Sequence, residues 1–171
     1  RDPPTEFSAD PNSIRHGGKG ANQAVAAVKA GAKAEMLGKV GPDGENFGVR
    51  RDLEEAGVGV TRIRTASEPT GTAYVFVGPE GDNRIIVRPG ANSAIDTAYI
   101  HAQWDAIISA DCLLLQNEIP IDPVRSLLSD LAAEEDRPIT ILDPAPAAGV
   151  EALLGHDAVD YLTPNETEYR A

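Results

Sequence analysis

Three short apolar runs constrain the fold of this 171-residue chain more than any other feature. They are Cys112-Leu113-Leu114-Leu115, Ile139-Thr140-Ile141-Leu142 and the stretch 158–162, with helix-compatible sequence between them. Continuous runs of this kind mark strands buried on both faces, and such strands belong to parallel sheets covered by helices. The earlier half repeats the alternation. Residues 34–40 read as a strand, and 58–63 as a short one. Between them, 46–56 fits a helix with Phe47, Val49, Leu53 and Ala56 on an apolar face and Gly57 as its stop. A helix over about 97–109 turns Ile100, Trp104, Ile107 and Ile108 inward, and Asp122 caps another over 123–135. A short helix near 150–154 follows, and 163–166 opens a last one. Alternating strands and helices predict an α/β, three-layer, Rossmann-like fold with a mainly parallel sheet.

Residues 72–77 and 84–88 depart from that texture. They flank Gly78-Pro79-Glu80-Gly81-Asp82-Asn83, which is a hairpin signal. Ala73, Val75 and Val77 occupy one face of the first strand, and Tyr74 and Phe76 the other, so both faces need cover. Such a hairpin either stands off the sheet, closing over a ligand and meeting a second subunit, or lies buried within the sheet.

Composition removes several classes of function. No apolar run approaches the ~20 residues needed to cross a bilayer. The opening Arg1-Asp2-Pro3-Pro4-Thr5-Glu6 lacks the apolar core of a signal peptide. Residues 1–15 are polar, with three prolines, and read as the tail of an element begun earlier. The single cysteine, Cys112, rules out an internal disulfide framework and a cysteine zinc site, and is expected to be a buried small hydrophobe. A cytoplasmic protein is the simplest account. Fifteen basic and 27 acidic residues give a net charge of -12, which argues against nucleic acid as a partner. An anionic ligand needs local donors to offset that field.

One stretch supplies such donors: His16-Gly17-Gly18-Lys19-Gly20-Ala21-Asn22-Gln23, which runs directly into an alanine-rich helix over 21–30 closed by Gly31. A helix N-terminus presents unpaired N–H groups and a positive dipole end. Lys19 adds a cation and Asn22 a side chain that both donates and accepts. The stretch is not a P-loop, because Gly20 follows the lysine, and it holds only the first half of a dinucleotide fingerprint. A loop that holds a hydroxyl-rich molecule remains, beside the alternative of a tight turn capping a packed helix. Ligands in parallel sheets bind beyond the carboxyl ends of the strands. Polar groups appear at three such ends: Glu118, Asp143 and the segment from Asn165 to Glu168. Taken alone, Asp143 reads as a turn residue or helix cap.

The motifs resemble those of the phosphofructokinase-B family of ribokinase-like carbohydrate kinases. The likeness runs from Gly17-Gly18-Lys19-Gly20-Ala21-Asn22-Gln23 through Thr70-Gly71, Pro89-Gly90-Ala91-Asn92 and Leu115-Gln116-Asn117-Glu118 to Asp143-Pro144-Ala145-Pro146-Ala147 and Thr163-Pro164-Asn165-Glu166-Thr167-Glu168. It implies ATP-dependent phosphorylation of a sugar hydroxyl, D-ribose first in line, in a cytoplasmic enzyme without nucleic-acid or membrane partners. By the same resemblance Gly18, Lys19 and Asn22 hold sugar hydroxyls and Glu118 accepts from them. Asn165 serves the phosphates of ATP, and Glu168 serves Mg²⁺, with activation by a monovalent cation also open. The hairpin at about 71–89 is the expected lid and homodimer clasp, with Ala73 and Val75 facing the sugar. The family's opening Asn-x-Asp sugar contact and its Gly-Ala-Gly-Asp segment, which carries the catalytic base and anion hole, do not occur in residues 1–171. The chain is therefore expected to form one incomplete α/β domain over 1–171, with no catalytic residue of its own and no activity alone. The alternatives are a sugar-binding module without catalysis and a kinase for fructose or a nucleoside.

Overall fold

The computed structural model describes residues 15–77 and 83–170. The polar tail (1–14), the hairpin turn (78–82) and Ala171 lie outside the described residues.

Strands β5 (Cys112–Gln116), β6 (Ile139–Asp143) and β7 (Tyr161–Leu162) form a parallel sheet in that order. Helix α6 (Ile121–Leu131) connects β5 to β6. Its Val124, Leu127, Leu128 and Leu131 follow helical spacing and are buried together with Leu115 and Leu142 of the sheet. Two further helices, α4 (Thr97–His101) and α5 (Trp104–Ile108), add Tyr99, Ile100 and Ile107 to this core. Fully burying one such leucine stabilises the fold by about 1.5–3 kcal/mol.

A second, smaller core lies under helix α1 (Lys19–Lys29) and gathers Ala24, Val40, Leu53, Val58 and Ile63. There β1 (Gly38–Val40) pairs in parallel with β2 (Ile63–Thr65). Tyr99 ties the two cores together. Its hydroxyl reaches the carbonyls of Gly38 (3.1 Å) and Arg62 (2.9 Å), and Lys39 Nζ lies 5.0 Å from its ring centroid. Burial pushes the Tyr99 phenol above its ordinary pKa.

β3 (Thr72–Val77) and β4 (Asn83–Arg88) form a two-stranded antiparallel sheet of their own. Its exposed residues include Val75, Ile85 and Val87 on one face and Tyr74 and Ile86 on the other. The hairpin therefore stands off the molecule, and burial within the main sheet is ruled out. Its base is pinned where the Asp43 carboxylate accepts from both the N–H and the hydroxyl of Thr70, each at 2.7 Å. The Thr70 hydroxyl in turn accepts from the Gly41 N–H.

Several sequence expectations need correction. Residues 46–56 are not one helix: α2 (Pro42–Phe47) and α3 (Val49–Glu55) are separated by Gly48 in a left-handed conformation. The stretch 97–109 is likewise two helices, α4 and α5. Gln103 stands between them, buried, with its side-chain oxygen accepting from Arg62. The strands predicted at 34–40 and 58–63 reduce to β1 and β2, preceded by a single bridge between Glu35 and Gly59. Asp122 does not cap α6; it lies in the first turn and pairs with Arg125. The stretch 150–154 holds only a 3-10 turn, Val150–Ala152, and the last strand is confined to β7. Cys112 is exposed rather than buried, and Leu114 of the same strand face is 36% exposed. Alternate residues of β5 point away from α6, so among the described residues this sheet is covered on one face.

Candidate functional site

Helix α1 starts two residues earlier than its alanines suggest, so Lys19 and Gly20 lie in its first turn and Gly18 is its N-cap. Gly18 adopts φ 97° and ψ 139°, a conformation that is essentially confined to glycine. That geometry turns the Lys19 N–H outward, and it donates to Glu118 Oε2 at 2.7 Å. A carboxylate thus sits on the positive end of α1, as the dipole favours. A Cβ on Gly20 would come within 2.9 Å of the Gln116 side chain and 3.1 Å of Met36, so this glycine permits the helix to approach the end of β5.

Gln116 and Asp143 are register partners at the ends of β5 and β6. Both reach α1. Gln116 donates to Gln23, Gln23 donates to Asp143 at 3.4 Å, and Lys19 Nζ lies 3.8 Å from Asp143 Oδ2. Asp143 is the final residue of a strand, not a turn residue, and its side chain is 19% exposed. Sequence reasoning placed Asp143 at the ligand-binding edge but read it, taken alone, as a turn residue or helix cap, and assigned no role to Gln23 or Gln116. The available signal was their position, at strand ends and one helical turn past Lys19. Asn22 is exposed in the second half of the first turn, where its N–H donates to the Gly18 carbonyl.

At the far side of the edge, Asn165 and Glu168 build the start of α7 (Glu166–Arg170). Asn165 Oδ1 accepts from the N–H groups of Thr167 and Glu168, while Glu168 accepts from the N–H and the amide of Asn165. This is a reciprocal capping box. It follows β7, two strand spacings or roughly 10 Å from β5. The structure thus brings Gly18, Lys19 and Glu118 into contact and joins Asn165 to Glu168. It places both groups at carboxyl ends of one parallel sheet. Ala73 and Val75 stand apart on β3, exposed, opposite Val87 and Ile85.

Asp52, beside the loop, and Asp43, at the base of the hairpin, are perturbed carboxylates. For Asp52 on α3, burial raises the pKa, but hydrogen bonds from His16 (2.6 Å) and Arg51 outweigh it and hold the group below its ordinary value. Asp43 is also held low, first by the Thr70 hydroxyl and then by the Thr70 N–H. His16 and Asp52 flank a cavity of about 100 Å³ between α1 and α3, also lined by Ala21, Val25 and Leu53. Among the described residues, no three His, Cys, Asp or Glu side chains gather to hold a metal ion. Nor is any helix among them long and apolar enough to cross a membrane.

A glycine loop on a helix N-terminus, met by a carboxylate from the edge of a parallel sheet, is an arrangement suited to hydroxyl groups. The family model for the pfkB family carbohydrate kinases matches residues 8–171, and the chain belongs to that family. It is 37% identical over 157 residues to a ribokinase of Haemophilus influenzae, covering 91% of this chain and 50% of that relative. The crystal structure of a ribokinase from Thermotoga maritima superposes with a TM-score of 0.76 at 35% identity, over 95% of this chain and 55% of that one. A ribokinase of Arabidopsis thaliana complexed with ribose and ATP gives a TM-score of 0.72 at 32% identity, over 89% and 49%. The chain spans about half the length of the curated relatives it matches.

Proposed function

We propose that the protein containing this chain transfers the terminal phosphoryl group of ATP to a sugar hydroxyl, with D-ribose as substrate and D-ribose 5-phosphate as product. The observation that carries the reading is the 2.7 Å contact between Glu118 Oε2 and the Lys19 N–H beside Gly18. A carboxylate accepts only, so with one oxygen on the loop its remaining lone pairs suit sugar hydroxyls, which donate. Gly18 keeps the approach free of a side chain, and Asn22 supplies a donor and an acceptor one turn on. The similar ribokinase solved with ribose and ATP supports this choice of ligands.

In this reading the sugar lies at the α1–β5 end, and ATP reaches in from the α7 end. Asn165 contributes an amide at the start of α7, and Glu168 a carboxylate that suits phosphates only through a cation held between them. Glu168 is a single hard oxygen ligand. Mg²⁺ keeps much of its water and is held by one or two carboxylates together with substrate phosphates, so the residues present fit it through water. When bound, Mg²⁺ would neutralise phosphate charge. This chain's own residues bind and orient; we assign no catalytic base among them, and the base and anion hole belong to the rest of the protein. The hairpin, with Ala73 and Val75 toward the sugar and its other apolar face toward a second copy, is proposed as lid and dimer clasp. Its exposed Tyr74, Ile85 and Ile86 support that role. The protein is proposed to be cytoplasmic.

The test uses the full-length gene product in a coupled assay for ADP formation with ribose and MgATP. Ribose-dependent turnover that collapses in Glu118→Ala is expected. Turnover with no sugar dependence, or an unaffected Glu118→Ala, overturns the reading.

A further inference from the structure

We propose that His16 is a positioning residue for the sugar loop, acting through Asp52; the inference rests on the sugar-site reading above. The pair fastens the loop to α3 and keeps Gly18 and Lys19 set for a ligand. His16 Nδ1 lies 2.6 Å from Asp52 Oδ2, across 36 residues of chain. An ionised carboxylate only accepts, so Nδ1 carries the proton of this bond. The other carboxylate oxygen, Oδ1, accepts from Arg51 Nη2 at 3.2 Å and from Arg51 Nε at 3.4 Å. Each oxygen thus has its own donor, and the carboxylate is held toward His16.

Packing does not fix this loop. Gly17 and Gly18 are exposed. Among the described residues, a Cβ on Gly17 would meet nothing within 4 Å, and one on Gly18 would meet only Glu118, at 3.8 Å. Behind the loop lies the cavity of about 100 Å³, with Gly17, Ala21, Val49 and Leu53 in its wall. Consecutive glycines beside empty space need polar ties to hold one conformation. Two such ties bracket them: His16 to Asp52 before, and the Lys19 N–H to Glu118 after. The two ties differ in what a ligand does to them. Glu118 is shared with the sugar, so its hold on the loop changes on binding. Asp52 belongs to α3 rather than to the sheet edge, so its tie is in place before a ligand arrives. A sugar that meets a loop already fixed loses less affinity to ordering it. With side chains 28% and 44% exposed, the pair adds little to global stability, and its effect falls on the loop.

The experiment measures dissociation constants for ribose and for a non-hydrolysable ATP analogue by calorimetry, on the full-length protein and four variants. His16→Phe keeps a ring against the cavity but has no donor. It should weaken ribose about fivefold, the upper end for an exposed charged contact, and leave the nucleotide constant unchanged. His16→Asn should restore ribose binding, because its amide nitrogen takes the place of Nδ1. Asp52→Ala should match His16→Phe, and the double variant should be no weaker than either single one, since all three remove the same contact. Unchanged ribose affinity in His16→Phe, a loss that Asn does not restore, or losses that add in the double variant each overturn the proposal. A loss shared equally by the nucleotide marks a general structural role and overturns it too. A second measurement needs no sugar. Hydrogen exchange at the Lys19 amide, which Glu118 shields, should quicken about fivefold in His16→Phe and return to the wild-type rate in His16→Asn. An unchanged exchange rate overturns the role of His16 and leaves the sugar site intact. If the wild-type protein binds no ribose, the sugar reading itself is overturned, and this inference with it.

Discussion

The two ends of the functional edge are built on opposite principles. At the α1–β5 end every defining contact joins parts of the chain far apart in sequence. Lys19 to Glu118 spans 99 residues, Gln23 to Asp143 spans 120, and Gln116 to Gln23 spans 93. At the α7 end all four contacts between Asn165, Thr167 and Glu168 span three residues or fewer. The first end exists only when the cores beneath it are assembled. The second is a helix cap that forms wherever its turn forms. Binding at the first end should therefore depend on single side chains in fixed places, whereas the second should tolerate any substitution that keeps the cap.

Glu118→Ala tests that contrast most severely. Losing a charged acceptor that the Lys19 N–H and the sugar share costs roughly 1.5–3 kcal/mol per hydrogen bond, so ribose affinity should fall about 100-fold. Calorimetry on the full-length protein reads this, and a fall below about threefold would show that the long-range end is not where the sugar is held. Gly18→Ala comes next. The added Cβ has room, its nearest neighbour being Glu118 at 3.8 Å, but the backbone conformation does not suit alanine. The strain of about 1–3 kcal/mol should appear as a lower melting temperature together with weaker ribose binding. At the local end, Asn165→Ala should cost about 1 kcal/mol of α7 stability, and Asn165→Ser should restore most of it, because serine caps as well as asparagine does. If Ser restores the melting temperature but not the KM for ATP, the amide itself meets the nucleotide. If it restores both, Asn165 is a cap alone.

This contrast also explains what was readable from sequence. The α/β class and the helical stripe of α6 are local periodicities, and the chain displays them openly. The capping box is local too, yet Asn165 and Glu168 were paired through the family motif, and their mutual cap appears only in the structure. Lys19 and Glu118 could be brought together only because family motifs tied them, since nothing within 99 residues of chain forces that meeting. The contacts of Asp143 were missed for the same reason: its partners Lys19 and Gln23 sit on another element, and a lone Asp before Pro144 reads as a turn. Cys112 was misread because an apolar run looks the same whether one face or both are covered; burial depends on neighbours that the run does not specify. The broken helices fall where a single residue departs from the periodicity: Gly48 by its left-handed backbone, and Gln103 by turning inward to accept from Arg62.

Asp43 offers an intermediate case, for its bonds to Thr70 span 27 residues and pin the hairpin's base. Its carboxyl is held below its ordinary value by the Thr70 hydroxyl first, then by the Thr70 N–H, with Arg88 adding a weaker pull and burial opposing. A depressed folded-state pKa contributes stability that is fully present above the unfolded value of about 3.9 and is lost as pH falls through the folded one. The melting temperature of the wild-type protein should therefore exceed that of Asp43→Asn by a small margin at pH 6, and the two should converge below about pH 4. The margin stays small because water reaches this carboxylate and asparagine retains one acceptor for Thr70. Thermal melts across that range decide the point. A gap that persists at low pH would mean that shape rather than charge secures the hairpin's base, placing it with the cap at α7 instead of with the charged contacts around Lys19.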